Sequence, residues 1–521
     1  TPLKWSDMNP NRNANAQDCI LQLHPDDPVV IAKCDLPEGF TLALPGKTIT
    51  VRDNVPAGHK VAIQDIPAGA EVCRYGHRIG QATTFIPAGS WVHSHNLEIG
   101  TGLVGSAIQI VKPLVPSPSG ATFLGYPRPG RRAGLRNYIA VISTVSCSAH
   151  VVSQVARAFP SERLAAYPNV DGVIAIAHHT GCSMPPDGLS LRYLRRTLTN
   201  LAQHPNVGAA IYIGLGCEVM QVADCQPIFS PAEAENLTPR NLVIQDQGGF
   251  QKTVAAGICL IEDLLPQVNA ISRTPQPPSE LMVALQCGGS DGWSGITANP
   301  LVGRITDRLV SEGAAAVLAE TPEIYGAEHL LTRRVCEAEV AEKLLERIAW
   351  WESQAQARCF SLDNNPTPGN KQGGLTTIFE KSLGAVAKAG STPLMGVYEY
   401  AERVEAQGLV FMDTPGNDPV ALTGQVAGGC NLILFTSGRG SVYGSALAPC
   451  IKISSNTRLA ERMGDDIDFN AGQLLEGATW EEASQQLFDL VLAVASGQRT
   501  RSEAHGLSEH EFVPWQPDAV L

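Results

Sequence analysis

Four cysteines each follow a short apolar run that has the length and composition of a buried strand. In an open parallel sheet the carboxyl ends of the strands share one edge, where ligands bind. Thiolates gathered there would select iron, zinc or an iron–sulfur cluster, although the chain has no CxxC spacing, which disfavours a zinc ribbon. The alternative is packing, since cysteine is a common small buried side chain. The four candidate metal ligands are Cys147, Cys182, Cys217 and Cys287.

The segment WVHSHNLE (91–98) places two histidines two residues apart, His93 and His95, with Asn96 beside them. In an extended strand this spacing points both rings to the same side. The pair could then bind a metal ion together, or one imidazole could act as a general acid or base. A surface strand with two solvated histidines is the alternative interpretation, and the pattern alone leaves both open.

Two cations lie in glycine-rich loops, Lys371 in PGNKQGG and Arg439 in TSGRGS. Glycines let such a backbone approach a small anion, and the planar guanidinium of Arg439 suits a bidentate contact with a carboxylate. Lys452 lies in the apolar run PCIKIS, where a lysine either snorkels to solvent or lines a site. Glu320 and Glu323 follow another strand-like run and are candidate metal or hydroxyl ligands. A solvated surface position is the alternative for each of these charges.

Ser290 and Asp291 follow Cys287 in QCGGSDGWSGITANP (286–300), a glycine-rich loop between a predicted strand and a predicted helix. The glycines permit a close backbone approach, and the helix beginning near Asn299 offers free N–H groups to an anion. The loop has neither the GxGxxG nor the GxxxxGK[ST] spacing, so nucleotide binding is disfavoured.

The elements that must position these residues fall into three domains. Residues 17–112 contain short β-rich runs between the turns DLPEGF, NVPAGH, DIPAGA and FIPAGS, which predicts a small, mostly β domain. Residues 123–272 and 279–521 alternate continuous apolar runs with helical patterns, which predicts two α/β domains with parallel sheets. The segments 111–121 and 272–280 are rich in proline and are expected to be linkers.

Eight apolar runs are predicted to be the buried strands of the α/β region. They are NYIAVISTV (137–145), GVIAIA (172–177), AAIYIGLG (209–216), NLVIQ (241–245), LMVALQ, AAAVLAE, LVFMD and NLILFT. The loop 361–376 is long and rich in glycine and proline, and loops of that length in compact domains are usually functional.

Composition limits the functions open to the chain. Its 521 residues carry 38 Lys and Arg against 51 Asp and Glu, a formal charge of −13, which argues against a nucleic-acid partner or an anionic membrane surface. No apolar run of about 18 residues is present to span a bilayer. Residues 1–16 form a polar tail without the apolar core of a secretory signal. Thirteen scattered cysteines in a long chain indicate reduced thiols, and we expect a cytoplasmic protein.

Seven long segments carry a family resemblance. They are VPAGHKVAI (55–63), GRRAGLRNYI (130–139), GLGCE (214–218), QCGGSDGWSGITANP (286–300), AETPEIYGAEHLL (319–331), PGNKQGGLTTIFEKSLG (368–384) and FTSGRGSVYG (435–444). Together they resemble the altronate/galactarate dehydratase family, sugar-acid hydro-lyases that also include the sulfolactate sulfo-lyases. The resemblance runs from about residue 50 to residue 475. It implies a small SAF (antifreeze-like) domain followed by an α/β region.

The resemblance also implies a reaction, the loss of water from a 2,3-dihydroxy acid to give a 2-keto-3-deoxy acid. A proton next to a carboxylate is weakly acidic, so the charge that develops must be neutralised by a metal ion or by cationic donors. The implied cofactor is iron, either as Fe(II) or as a cluster held by the four cysteines. The candidate catalytic residues are then His93, His95, Lys371 and Arg439, and the candidate substrate-binding residues are Asn96, Ser290, Asp291 and Lys452.

Three functions stay open at this point. The His-x-His-Asn segment is similar to altronate-type members and favours an aldonate over an aldarate, whereas Phe250 and Ser183 depart from the family pattern. A sulfo-lyase acting on a 3-sulfo-2-hydroxy acid is the alternative within the family, disfavoured because those enzymes tend to carry the SAF part as a separate chain. A non-catalytic sugar-acid binding protein is the third. The expected partner is a small-molecule sugar acid, and a homodimer is left open.

Overall fold

The computed structural model describes residues 19–100, 105, 107–225, 239–508 and 511–518. The polar tail predicted for residues 1–16 lies outside the described residues. Within them, no helix combines the length and the apolar character that crossing a bilayer requires.

The described chain forms short strands in its first part and alternating strands and helices afterwards. The strands are β1 (Ile20–Leu21), β2 (Val29–Ala32), β3 (Thr41–Leu44), β4 (Lys47–Thr50), β5 (Lys60–Ala62), β6 (Glu71–Arg74), β7 (His77–Ala82), β8 (Trp91–Val92), β9 (Leu97–Glu98), β10 (Phe123–Gly125), β11 (Tyr138–Ser143), β12 (Gly172–Ile176), β13 (Val207–Gly214), β14 (Arg240–Val243), β15 (Thr274–Gln276), β16 (Met282–Cys287), β17 (Ala315–Leu318), β18 (Leu394–Tyr398), β19 (Gly408–Met412), β20 (Leu432–Ser437), β21 (Cys450–Ser454) and β22 (Phe469–Asn470). The helices are α1 (Ala149–Arg157), α2 (Ser161–Leu164), α3 (Leu189–Ala202), α4 (Ile244–Gln247), α5 (Phe250–Asn269), α6 (Ala298–Ser311), α7 (His329–Thr332), α8 (Ala338–Ala357), α9 (Pro368–Gln372), α10 (Ile378–Val386), α11 (Asp418–Ala427), α12 (Thr457–Arg462), α13 (Trp480–Ala495) and α14 (Arg501–His505).

The N-terminal domain is built from antiparallel strands, which confirms the predicted β-rich domain. Strands β1, β2, β5 and β8 form one sheet, β6, β7 and β9 a second, and β3 and β4 a hairpin. The four Pro-x-Gly turns connect them. In one of these, Gly58 has a φ of 83° and the N–H of His59 donates to the carbonyl of Pro56 at 3.1 Å. Glycine at a left-handed position two residues after the accepting carbonyl is the mark of a type II turn.

The second domain contains a parallel sheet in the order β12-β11-β13-β14. Its four strands confirm four of the predicted apolar runs. Helices α1 and α5 pack on one face of this sheet and α3 packs on the other. Strands β11 and β13 are buried along almost all of their length, which explains why their segments are continuous apolar runs.

The third domain contains a seven-stranded parallel sheet in the order β18-β19-β17-β16-β20-β21-β22. Strand β16 is the central strand and the first of the seven in the chain. The next three strands, β17, β18 and β19, lie on one side of it, and β20, β21 and β22 lie on the other. The strand order therefore reverses between β16 and β20, and ligands of open α/β sheets bind at such a reversal. Strands β16, β17, β19 and β20 confirm predicted runs, whereas β18, β21 and β22 were not predicted.

The two predicted linkers are both attached to the domains. Strand β15 lies within the segment 272–280 and pairs antiparallel with β10. In the segment 111–121, the N–H groups of Val111 and Ser117 donate to the carbonyls of Val335 and Ser311, each at 2.8 Å. These contacts hold the first linker against the third domain.

Candidate active site

The loops after β16 and β20 meet at the reversal of strand order. The N–H of Gly288 donates to the carbonyl of Thr436 at 2.9 Å, and the N–H groups of Gly438 and Arg439 donate to the carbonyl of Gly289 at 2.9 and 2.7 Å. A Cβ atom at Gly438 would overlap the carboxylate of Asp291. The glycines predicted to allow close approach are therefore used to pack one loop against another.

Asp291 ties the loop after β16 to the loop after β21. One carboxylate oxygen accepts from the N–H of Ser294 at 2.9 Å and from the hydroxyl of Ser455 at 2.8 Å. The other accepts from the Nδ2 of Asn456 at 3.0 Å. A carboxylate with this many donors holds the loops in place. Ser290 points inward as well, and its hydroxyl donates to the carbonyl of Gly288 at 3.2 Å.

A cavity of about 600 Å³ opens above these loops, between the N-terminal and third domains. Its size lies in the range of small-molecule sites. Lys33, Asp35 and His59 line it from the N-terminal domain, and Asp291 and Arg439 from the third. The four cations along its wall are Lys33, Arg439, Arg458 and Arg462, and the further acid is Glu476. The walls can therefore hold an anion whose remaining atoms are hydrogen-bond donors and acceptors.

The N-terminal domain reaches this cavity through the turn that contains Gly58. A Cβ atom at Gly292 would overlap the carbonyl of Gly58, and one at Gly374 would lie 2.5 Å from the same oxygen. Three backbone segments thus pass each other at a separation that only glycine permits. This close packing fixes the position of His59, the next residue, at the cavity wall.

His59 belongs to an aromatic group with Trp91 and His93. The indole N–H of Trp91 donates to Nδ1 of His59 at 3.2 Å, which leaves Nε2 of His59 to donate to the carbonyl of Gln372 at 3.2 Å. His93 stacks on Trp91 with ring centroids 5.0 Å apart. Burial, reinforced by the ammonium of Lys60, lowers the pKa of His59 to about 4 and that of His93 to about 3. Both imidazoles are therefore neutral at pH 7.

The predicted histidine pair is arranged differently from the expectation for a strand. Strand β8 ends at Val92, and residues 93–96 form a turn. His93 is buried, whereas His95 is exposed and lies against Trp91. Asn96 holds the turn, because its Oδ1 accepts from the N–H of His93 at 2.9 Å and its Nδ2 donates to the carbonyl of Trp91 at 2.9 Å.

Three buried charges join the N-terminal domain to the third. The ammonium of Lys60 donates to both carboxylate oxygens of Glu380 at 2.8 and 2.9 Å, and Arg74 donates to the same carboxylate. None of the three side chains is more than 1 % exposed. Burial opposes the ionised carboxylate, yet Lys60 and Arg74 together lower the pKa of Glu380 to about 2. The three residues form an interdomain ion triad.

A second buried group lies where β16 and β17 end. The Sγ of Cys287 is 3.9 Å from Glu320 and 3.6 Å from Glu323, and the ammonium of Lys388 donates to that sulfur at 2.7 Å. One carboxylate oxygen of Glu323 accepts from Lys381 at 2.7 Å. Burial opposes ionisation, but Lys381 lowers the pKa of Glu323. Burial and the neighbouring Glu323 raise the pKa of Glu320.

The residues Cys287, Glu320 and Glu323 fit a metal ion. Their ligand atoms lie within 4.8 Å of one another. One oxygen of Glu320 is buried without a hydrogen-bond partner, and Glu320 has a left-handed φ of 69°, which is strained for a side chain of this kind. A sulfur and two carboxylates suit a borderline divalent cation such as Fe(II). Three protein ligands also leave a coordination position open.

The structure divides the four predicted thiol ligands between two sheets. Cys287 ends β16 in the third domain and is buried, whereas Cys147, Cys182 and Cys217 follow β11, β12 and β13 and are exposed. Among the described residues, only the set around Cys287 brings three potential ligand atoms within 4.8 Å. The four sulfurs therefore do not surround one ion.

Two predicted cations lie outside the cavity wall. Lys371 lies in α9 and is half-buried, next to Gln372 and Gly373, which do line the cavity. Lys452 lies in the middle of β21, fully buried, and its ammonium has no hydrogen-bond partner among the described residues. Lys452 thus neither snorkels to solvent nor lines this cavity.

Comparison with known proteins follows the same three parts of the chain. Residues 18–100 match the family described as the altronate/galactarate dehydratase SAF domain. Residues 125–269 match the D-galactarate dehydratase/altronate hydrolase second domain, and residues 278–520 match the D-galactarate/altronate dehydratase C-terminal domain. The chain belongs to the altronate/galactarate dehydratase family.

Relatives that match most of the chain belong to the same family. Altronate dehydratase of Escherichia coli is 36 % identical over 94 % of this chain and 97 % of that protein. Galactarate dehydratase (L-threo-forming) of the same organism is 38 % identical over 87 % of this chain and 89 % of its own. The beta subunit of (2R)-sulfolactate sulfo-lyase of Chromohalobacter salexigens is 32 % identical over 76 % of this chain. The chain is therefore an enzyme of the hydro-lyase type, and the non-catalytic alternative is not supported.

The sequence patterns did not single out three residues that the structure places at the cavity wall or in the interdomain ion triad. His59 was part of a turn motif, and that motif gave no sign that the next residue lines a cavity. Lys60 and Glu380 are 320 positions apart, and no local pattern indicates that they pair. The predicted ligand Cys287 and the loop residue Asp291 were found because strand ends are visible in the sequence.

Proposed function

We propose that this enzyme removes water from a sugar acid of the altronate type and releases a 2-keto-3-deoxy acid, with iron as its cofactor. The observation that carries the proposal is the interdomain cavity, which places four cations beside the loops of a strand-order reversal. The names of the relatives support the class of reaction and of substrate. The buried set at Cys287 supports the metal.

The substrate carboxylate is assigned to the cationic wall. Arg439 is exposed to the cavity, and its backbone is fixed by the hydrogen bond to Gly289, so its guanidinium is presented from a rigid loop. Bidentate pairing with a guanidinium is the strongest contact available to a carboxylate. Arg462 donates to the carbonyl of Arg439 at 3.3 Å and adds charge to the same wall. Asp35 and Glu476 can accept from substrate hydroxyls.

The iron is assigned to Cys287, Glu320 and Glu323. None of the three residues lines the cavity, but they lie where β16 and β17 end, at the same sheet edge as its loops. Iron bound there would supply a Lewis acid to stabilise negative charge that develops on the substrate. Lys381 and Lys388 contact the same carboxylate and sulfur and compensate their charge in a buried setting. A coordinating thiol is deprotonated, so the ligand set would be anionic as a metal requires.

Dehydration also needs a base for the α-proton and an acid for the departing β-hydroxyl. His59 lines the cavity and is held neutral, and we assign the base to it. To take the α-proton, its Nδ1 must exchange the hydrogen bond from Trp91 for the substrate C–H. The α-proton goes to His59, the imidazolium so formed protonates the β-hydroxyl, which leaves as water, and the resulting enol ketonises with His59 neutral again. His93 stacks on Trp91 and so helps to hold the indole that hydrogen-bonds to His59.

The test is an anaerobic assay of keto-acid release on a panel of aldonates, aldarates and 3-sulfolactate, with iron analysis of the same protein. We expect turnover of an aldonate that depends on bound iron. Cys287→Ser and Glu320→Gln are each expected to lose iron and to lower kcat by roughly 10²-fold or more.

The matched control is Cys359→Ser, since Cys359 is exposed and belongs neither to the cavity wall nor to the ligand set at Cys287. It should retain iron and turnover. Full activity of the wild type after exhaustive chelation, with no metal found by mass spectrometry, would contradict the iron assignment. Release of sulfite from 3-sulfolactate, without dehydration of any sugar acid, would contradict the reaction.

A further inference from the structure

Three exposed cysteines lie at one edge of the second domain's sheet. Cys147 follows the central strand β11, Cys182 follows its neighbour β12, and Cys217 follows its other neighbour β13. All three strands are parallel, so their carboxyl ends face the same way. Neighbouring strands lie about 4.8 Å apart, which places the three loops side by side.

Hydrogen bonds tie these loops together next to each cysteine. The N–H of Ser146, the residue before Cys147, donates to the carbonyl of Thr180 at 2.8 Å. The hydroxyl of Thr144 donates to Glu218 at 2.8 Å, and the N–H of Gly216 donates to the other oxygen of Glu218 at 2.6 Å. Each of the three loops is thus bonded to a neighbour within three residues of its cysteine.

The backbone beside two of the thiols is shaped for close approach. Gly181 precedes Cys182 with a φ of 97°, and Gly216 precedes Cys217 with a φ of 121°. A Cβ atom at Gly181 would lie 2.5 Å from the carbonyl of Thr144. Ser183, after Cys182, holds a left-handed φ of 52°, which is unfavourable for serine. Unfavourable backbone conformations of this kind cluster at functional sites.

We propose that Cys147, Cys182 and Cys217 hold an iron–sulfur cluster of the [4Fe–4S] type, separate from the ion at Cys287. Thiolates are the ligands that select such clusters. The three sulfurs are not grouped within 4.8 Å of one another, the approach that one ion bound by three thiolates at about 2.3 Å requires. A cluster spreads its thiolate ligands over several irons and does not require that approach.

The hydrogen bonds of Glu218 and the exposure of the three cysteines fit this assignment. Both oxygens of Glu218 are occupied by loop hydrogen bonds, so its carboxylate orients the loops and leaves the ligand role to the thiols. Three cysteines leave the fourth iron without a protein thiolate, so that iron is open to water or a small ligand. A cavity of about 460 Å³ lies beside the same loops and is lined by Ser146, His150 and His179.

The test is anaerobic reconstitution of the full chain with ferrous iron and sulfide, followed by analysis of iron, acid-labile sulfide and visible absorption. We expect about four sulfides per chain in the wild type. Cys147→Ser, Cys182→Ser and Cys217→Ser should each lose sulfide and the visible band while keeping the thermal unfolding temperature of unreconstituted wild type. Cys259→Ser, an exposed cysteine on α5 of the same domain, should keep the full cluster.

The variant Cys287→Ala separates this centre from the proposed catalytic ion, because it should lose iron but retain all the sulfide. Reconstituted wild type without acid-labile sulfide would overturn the proposal, and so would sulfide that persists when all three cysteines are serine. Iron or zinc bound to the three thiols without sulfide would also overturn it, since that is a single-ion site.

Discussion

Neutral histidines beside buried cations are the main electrostatic feature of the cavity wall. His59 and His93 lie within a positively charged surrounding that includes Lys60, and burial removes the water that would solvate their charged forms. Both effects favour the unprotonated ring. A neutral imidazole accepts a proton, whereas an imidazolium cannot. The wall therefore combines fixed cations for a carboxylate with a base for the α-proton.

This arrangement predicts different outcomes for the histidines. His59→Gln should lower kcat/KM by about 10²- to 10⁴-fold, the usual contribution of general base catalysis. His95→Gln should change it less than about threefold, because His95 is exposed and lines no part of the cavity. Steady-state assays of keto-acid release measure both, with the thermal unfolding temperature as a check on folding. Equal effects of the two variants would contradict the role of His59.

The pH dependence of kcat/KM tests the role of His59 by a second measurement. The neutral form of His59 is active and persists in the folded protein until the pH approaches about 4, so kcat/KM should show no acid limb near 6.5 from this group. In the unfolded chain the histidines bind protons near their ordinary pKa. Folding stability therefore declines as the pH falls below 6.5, and assays must be limited to pH values where the circular dichroism is unchanged.

The predicted strand ends identified residues of the set at Cys287 and of the three-cysteine set in the second domain. They could not show which of these residues lie close together. Cys147, Cys182, Cys217 and Cys287 all follow buried strands, and the sequence cannot tell which sheet each strand joins. The extended His-x-His interpretation was wrong for residues 93–96 because Asn96 closes a turn there. That hydrogen bond depends on a local conformation that alternation alone does not reveal.

At the scale of elements, the interdomain ion triad links β5, β6 and α10. Helix α10 begins after Thr377, whose hydroxyl caps it by accepting from the N–H of Glu380 at 3.3 Å. The cap places the Glu380 carboxylate against Lys60 and Arg74. Lys60 also donates to the carbonyl of Gly374 at 2.7 Å, and Arg74 donates to that of Gly292 at 2.6 Å. The triad therefore positions two of the glycine segments that frame the cavity.

Glu380→Gln is expected to be strongly destabilising, because it leaves two buried cations without a counter-charge. Breaking a buried ion pair by removing one partner costs about 3–5 kcal/mol. The expected result is a lower unfolding temperature and faster proteolysis in the linker 111–121. The control is Glu481→Gln, which removes an exposed pair with Arg304 that should contribute less than about 1 kcal/mol. Similar unfolding temperatures for the two variants would show that the triad does not hold the domains together.

The continuous apolar runs were the most predictable elements. Parallel strands buried on both faces have no polar alternation, so all eight could be found in the sequence. Strand β21 was missed because Lys452 interrupts its apolar pattern, and β15 was missed because prolines dominate its segment. Strand β15 is stabilised by pairing with β10, about 150 residues earlier in the chain, which a local pattern does not show.

At the scale of the whole molecule, the N-terminal domain is part of the core of the enzyme. Its buried residues Val72 and Ile79 belong to the same hydrophobic cluster as Leu383 and Val386 of α10. Together with the ion triad, this cluster makes the interface both apolar and charged. The first linker lies along the third domain, so the structure holds the N-terminal domain in one place over the cavity.

Removal of the N-terminal domain is therefore expected to do more than abolish turnover. A chain of residues 123–521 would expose the apolar face around Leu383 and leave Glu380 at that face without its two cations. We expect it to be inactive, less stable than the full enzyme and prone to self-association, as exposed apolar patches are. Adding residues 17–112 in trans should restore both the unfolding temperature and part of the activity, since the two parts share one core. Size-exclusion chromatography, thermal unfolding and the keto-acid assay measure these effects. A monomeric 123–521 chain with wild-type stability and kcat would show that the domain has neither a structural nor a catalytic part in the site.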